Sequence, residues 1–226
     1  MKLLNSCHRL DIVIALYVFF TLTSELLGAK TFPLVHIGSF ELNTSVAIFV
    51  LPFVFSITDV ILEVYGKERA RSVAFIGLGT IILLILYTTL ATGLPPSTRF
   101  APSEAAYDSI FQQSIRMSIA SIIAFACSQL LDIAVFSKLR ERMQKHALWL
   151  RNNLSNFIGF FVDSLVFLTI AFYALDTGFT ENVSFIVSLL IPYWLIRCGL
   201  SIIETPLVYA GVKWLKNDTH SEKTAS

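Results

Sequence analysis

The chain has 226 residues, of which 55% are hydrophobic and 13% aromatic, while charged residues make up 15% against roughly 25% in soluble domains. Mean hydropathy is +0.70, and the apolar residues fall in blocks of about 20, the pattern of a polytopic membrane protein rather than of a soluble core. A net charge of +1 excludes an extended nucleic-acid-binding face, because the basic residues are spent locally at the ends of the apolar blocks.

In chain order, Lys2, His8 and Arg9 precede a first apolar block over 11–29. That head resembles a secretory signal, but the run holds Glu25 and no small-x-small cleavage pattern follows, so it reads as a first spanning helix. Pro33 and Gly38 break the chain before a second block over 44–62, and Gly66 separates that block from a third over 72–91. The Gly93-Leu-Pro-Pro-Ser-Thr stretch leads to a fourth over 110–136, a fifth follows over 154–175, and Asp176-Thr-Gly178 precedes a sixth over 183–211. Each block is long enough to cross a hydrocarbon core ~30 Å thick at ~1.5 Å per residue. The expected fold class is therefore an all-α polytopic membrane protein, a single six-helix transmembrane domain over 1–226 whose residues 212–226 form a short polar tail.

The lysines and arginines set an orientation. Lys2 and Arg9, then Lys67, Arg69 and Arg71, then Lys138, Arg140, Arg142, Lys145 and Arg151, then Lys213, Lys216 and Lys223 all fall on one side of this topology. The alternate loops hold Lys30 and Arg99, so both termini are expected in the cytoplasm.

Catalytic signatures are missing. The chain has no GxSxG, HExxH or GxxxxGK[ST] pattern, and His8, His36, His146 and His220 lie outside the blocks. Cys7, Cys127 and Cys198 form no CxxC pair, so neither a zinc site nor a disulfide framework is expected. No metal, cofactor or enzymatic activity is expected, and no loop is long enough to be an ATPase domain.

Polar residues inside the blocks carry the functional information, since a charge at a helix centre costs about 2.5 to 3.5 kcal/mol on insertion scales. Asp59 and Glu63 are four residues apart on one helix face; Gln129 and Asp132 are three apart; Asn153, Asn156 and Asp163 share a stripe; Arg197 and Glu204 are two turns apart. One shared polar cavity accommodates all of these stripes at least cost. Glu63, Lys67 and Arg71 read either as a gate or as ion pairs that anchor a helix end, and Glu25 and Arg116, near the outer ends, read as snorkelling side chains. The acids Glu25, Asp59, Glu63, Asp132, Asp163 and Glu204 outnumber Arg116 and Arg197, which suits a solute that donates hydrogen bonds or carries positive charge, or a cavity that takes up protons.

The series Thr58-Asp59-x3-Glu63-x-Tyr65-Gly66-x3-Ala70-Arg71, Gln129-x2-Asp132-x3-Phe136-x2-Leu139, Arg151-Asn152-Asn153-x-Ser155 with Asp163 and Phe167, and Thr205-Pro206-x2-Tyr209 resembles the queuosine precursor transporter family. The resemblance covers essentially the whole chain. It implies a six-helix fold similar to the substrate-binding subunits of energy-coupling-factor vitamin transporters, and import of a 7-deazaguanine base across the cell inner membrane without an ATPase partner. The family usually carries Lys where this chain has Arg197, and Asp where it has Glu204; both substitutions keep the charge. A deazaguanine presents an N1–H and an exocyclic amine side by side, which a carboxylate accepts in two parallel bonds. Asp163 or Asp59 is expected to read that edge, supported by Gln129 and Asn156, with Asp132, Arg197 and Glu204 in the same cavity. Phe125, Phe160, Tyr193 and Trp194 are candidates to stack on the ring. Two rival readings are a binding subunit of an ATP-driven transporter and a membrane assembly protein whose buried charges are structural.

Overall fold

The computed structural model describes residues 9–37, 40–142 and 148–225, with side chains placed at 9–36, 41–127, 159–199 and 208–216. Helix α1 spans Arg9–Leu27, and its buried residues Val13, Tyr17, Thr21 and Glu25 recur every four positions. That spacing is close to one turn of 3.6 residues, so they form a single inward stripe on a helix that is otherwise apolar. Elsewhere on the surface Phe19, Phe75, Leu83 and Tyr87 are exposed, an arrangement that suits lipid rather than water.

The segment after α1 departs from the sequence expectation. Residues 31–45 form an antiparallel hairpin, β1 (Thr31–Ile37) and β2 (Phe40–Ser45), with Phe32 opposite Thr44 and a register irregularity between Pro33 and Val35. A proline fits a strand at such an irregularity because no ladder donor is required there. Ser45 ends the hairpin: its hydroxyl donates to the Gly28 carbonyl at 2.5 Å and accepts from the Ala47 amide at 3.1 Å, capping a 3-10 turn over Val46–Phe49. The second helix therefore starts at Leu51 rather than 44, with Pro52 in its first turn, where a missing amide costs nothing.

Helix α2 spans Leu51–Gly93 and is broken at Gly66, whose φ of 81° lies in the left-handed region. Leu51 and Ile81 line the same cavity, whereas a straight helix would separate them by roughly 45 Å. The chain turns back at Gly66, and the loop expected over 63–71 contracts to that one residue. A 3-10 turn at Ala101–Ser103 leads into α3 (Glu104–Arg142), followed by α4 (Leu148–Phe172) and α5 (Phe179–Ala225). Among the described residues, Arg9–Leu27, Leu51–Gly93, Ala101–Cys127 and Phe179–Gly199 are long and apolar enough to cross a membrane, and Gly159–Phe172 is a shorter apolar stretch. Apart from the hairpin, this is an all-α membrane protein.

Side chains of α3 close the end of α4. Arg116 donates through Nε to the Ile170 carbonyl at 2.8 Å and through a terminal nitrogen to the Tyr173 carbonyl, and Gln113 donates to the Ala171 carbonyl at 3.0 Å. These satisfy carbonyls that a helix C-terminus leaves orphaned, and the guanidinium complements the negative end of the helix dipole. Arg116 is thus a cap and not a snorkelling side chain. The α4–α5 turn is held by Asn182, which is buried, accepts from the Ala174 amide at 2.8 Å and donates to the Ala174 and Thr177 carbonyls at 2.8 and 3.0 Å. Asn182→Ala leaves these groups without their partner and is expected to cost roughly 1 to 3 kcal/mol. Thermal unfolding of the detergent-purified variant checks this; an unchanged midpoint would show that the turn holds by other means.

The principal core cluster joins α1, both arms of α2 and the far part of α5: Val13, Tyr17, Val60, Ile61, Ala70, Val73 and Leu215. The stretch expected to be a polar tail instead continues α5, with Leu215 fully buried. Beside it the Arg9 guanidinium stacks over the Trp214 ring at 5.1 Å and donates to the Trp214 carbonyl. Close approach is secured at Gly211, where a Cβ would lie 2.8 Å from Val60.

Candidate functional site

Above this cluster, on the side of the hairpin, all five helices and the hairpin's end enclose a cavity of about 200 Å³. Helix α1 contributes Tyr17, Thr21, Ser24 and Glu25; the arms of α2 contribute Phe55 and Gly77; α3 contributes Met117, Ser121 and Phe125; α4 contributes Asp163 and Phe167; α5 contributes Tyr193 and Arg197. The wall is mostly apolar with few polar groups, the usual character of a small-molecule site.

Two polar poles stand out. At the first, Arg197 of α5 donates to the Asp163 carboxylate of α4, with the Ser164 hydroxyl 3.5 Å away. The guanidinium carbon lies 4.7 Å from the Phe55 ring centre, 4.8 Å from that of Phe160 and 6.0 Å from that of Tyr193. Three rings at these distances add cation–π attraction to the ion pair, which lowers the cost of holding a guanidinium away from water. Arg197 Nε has no hydrogen-bond partner. At the second pole, Glu25 is only 6% exposed and faces the α3 hydroxyls of Ser118 and Ser121, while its Oε2 has no partner.

The candidates from the sequence distribute unevenly. Asp163, Arg197, Phe125 and Tyr193 line the cavity, and Phe160 backs it through its contact with Arg197. Asp59 is exposed and lies outside the cavity wall, as do Glu63, Lys67 and Arg71; among the described residues no ion pair joins these last three. Trp194 packs edge-on against Phe161, ring centres 5.6 Å apart, and does not line the cavity. Gln129, Asp132, Asn156 and Glu204 fall outside the described side chains. Glu25 departs from the expectation: it faces inward instead of snorkelling, because it belongs to the same four-residue stripe as Val13, Tyr17 and Thr21. The signal was available in Thr21 and Ser24, polar neighbours on its own face.

Comparison with known proteins bears on what this cavity serves. Residues 45–211 match the family described as "Putative vitamin uptake transporter". The chain belongs to this family. It is a family of transporters, not of enzymes. Among curated relatives, the chain is similar to a "Probable queuosine precursor transporter" of Bacillus subtilis strain 168, at 30% identity over 74% of this chain and 71% of the relative. It is also similar to a protein of the same description in Haemophilus influenzae, at 29% over 60% of this chain and 55% of the relative. A "Queuosine precursor transporter" of Escherichia coli strain K12 is 28% identical over 61% of this chain and 59% of the relative. No solved structure matches. The uptake-family match begins at Ser45 and so leaves out α1 and nearly all of the hairpin.

Proposed function

We propose that this membrane transporter of the vitamin uptake family imports a queuosine precursor, a 7-deazaguanine base, passing it through the cavity between the helices by alternating access. The observation that carries this reading is a cavity with aromatic side chains and two polar poles in its wall, in a chain whose relatives are described as transporters of that solute. In this reading the two arms of α2, 51–65 and 67–93, count as separate crossings, giving six: the second arm exceeds the ~20 residues a span requires, and the first reaches that length with the 3-10 turn over Val46–Phe49 before it. This reading gives the chain the fold of the substrate-binding subunits of energy-coupling-factor transporters. Lys67, Arg69 and Arg71 follow the turn at Gly66 directly, so the positive-inside rule puts that turn and both termini in the cytoplasm, with the protein in the inner membrane.

In this orientation the hairpin covers the cavity from outside, and the cluster of Val13, Tyr17, Val60, Ile61 and Leu215 closes it toward the cytoplasm. Release of the base inward requires that cluster to part, and Asp59 and Glu63 lie one turn apart beside it, where they serve as gate or anchor. Asp132, Asn156, Gln129 and Glu204 are assigned to binding of the base as part of this reading. No ATPase partner is required.

The test is expression in a host unable to make the precursor. Supplying 7-deazaguanine bases should restore queuosine in transfer RNA, and no rescue with membrane-inserted protein sinks the substrate assignment. Uptake that depends on a copurifying ATPase would instead favour a subunit of an ATP-driven transporter.

A further inference from the structure

We propose that Glu25 reads the hydrogen-bond-donating edge of the transported base, accepting a ring N–H and the adjacent exocyclic amine. The inference rests on the import reading above and names the residue that gives that site its selectivity. Sequence spacing favours Asp163 or Asp59 for this task, and the geometry argues against both. Asp59 is exposed and outside the cavity wall. Asp163 is committed to Arg197, so accepting two donors from a solute means surrendering its ion pair. Glu25 lines the cavity, is more than nine-tenths buried and keeps Oε2 without a partner.

Its surroundings fit the role. Ser121 and Ser118 face the carboxylate from α3, and the hydroxyls of Ser118 and of Thr21, the latter on Glu25's own helix, are buried without a partner. Arg197, the cation of the cavity wall, is held by Asp163 and so does not neutralise Glu25. Tyr193 lines the same cavity as Glu25, Asp163 and Arg197, with the Arg197 guanidinium carbon 6.0 Å from its ring centre. A planar base stacked there meets acceptors at Glu25 and a free donor at Arg197 Nε. Glu25 also lies outside residues 45–211, so the family match assigns it nothing.

The experiment compares binding of 7-deazaguanine and 7-deazahypoxanthine, which lacks the exocyclic amine, to purified wild type, Glu25→Gln and Glu25→Asp. Glutamine keeps the shape but offers a single acceptor oxygen. Wild type should prefer 7-deazaguanine. Glu25→Gln should weaken that base roughly 10- to 100-fold and weaken the analogue much less, so the preference collapses. Glu25→Asp, which retains the charge, should recover part of the preference. Unaltered affinity and preference in Glu25→Gln overturn the assignment, as does an equal loss for both bases, which would make Glu25 a coupling or structural group. If wild type binds neither base, the import reading itself fails and takes this assignment with it; if wild type binds and discriminates, the import reading stands whatever the variants do.

Discussion

Asp163→Asn should destabilise the protein by roughly 3 to 5 kcal/mol, and Asp163→Asn combined with Arg197→Gln should recover most of that loss. The side chains of Arg197 and Asp163 are 14% and 20% exposed, so removing the carboxylate strands a largely buried cation, the situation in which breaking an ion pair is costliest. Removing both charges strands neither. The rings of Phe55 and Phe160 remain against the guanidinium in the single variant and moderate the loss without cancelling it, since cation–π attraction contributes about 2 kcal/mol at most sites of this kind. Denaturation in detergent of the wild type, the two single variants and the double variant closes the cycle. A coupling below about 0.5 kcal/mol would show that the two side chains are energetically independent. The same series addresses transport, because a structural pair lets the neutral double variant retain uptake, whereas a pair that contacts the base does not.

Gly77→Leu is expected to abolish uptake and to lower stability by about 3 kcal/mol or more, and Tyr17→Ala should restore stability to the doubly substituted chain. A Cβ at Gly77 would lie 2.8 Å from Tyr17 Cε1 and 2.9 Å from its hydroxyl, and both residues line the cavity. Well-packed sites resist added volume at about 1 to 3 kcal/mol, and more when backbone must shift. The Tyr17 ring can escape only into the cavity or into the cluster of Val13 and Ile61 below it, so the substitution blocks the solute space as it strains the core. Shortening Tyr17 removes about as much volume as leucine adds. Equal melting of Gly77→Leu and wild type would mean that the α1–α2 crossing is looser than these distances state.

Much of the helical framework was legible because a bilayer enforces long apolar runs, and 11–29, 72–91 and 154–175 lie close to observed helices. The hairpin was not, since Pro33 and Gly38 read as breakers while Thr31, Val35, Thr44 and the alternating residues between them carried the strand signal. Helix faces were harder still. In a helix that is apolar all round, hydropathy does not tell the inward side from the outward one, and so Asp59 was assigned to a cavity that its neighbours Val60 and Ile61 turn it away from. Arg197 and Asp163 were each recognisable as costly residues in mid-helix. Their pairing across α4 and α5 is a tertiary fact with no signature in local spacing. The inward face of Glu25 is hidden for a different reason, its nearness to a helix end.

The contact between the two ends of the chain bears on how the protein is made. Val13 and Leu215 share one cluster, and Arg9 is stacked on Trp214, 205 positions away, so α1 completes its packing against a helix made long after it. Until α5 is in place, the cluster of Val13, Tyr17 and Leu215 stays incomplete. Contacts this distant in sequence form slowly and leave incomplete species open to misassembly. Chains truncated before Leu215 would lack the closing piece of this cluster, and membrane quality control would meet them as unfinished bundles even with every site residue in place.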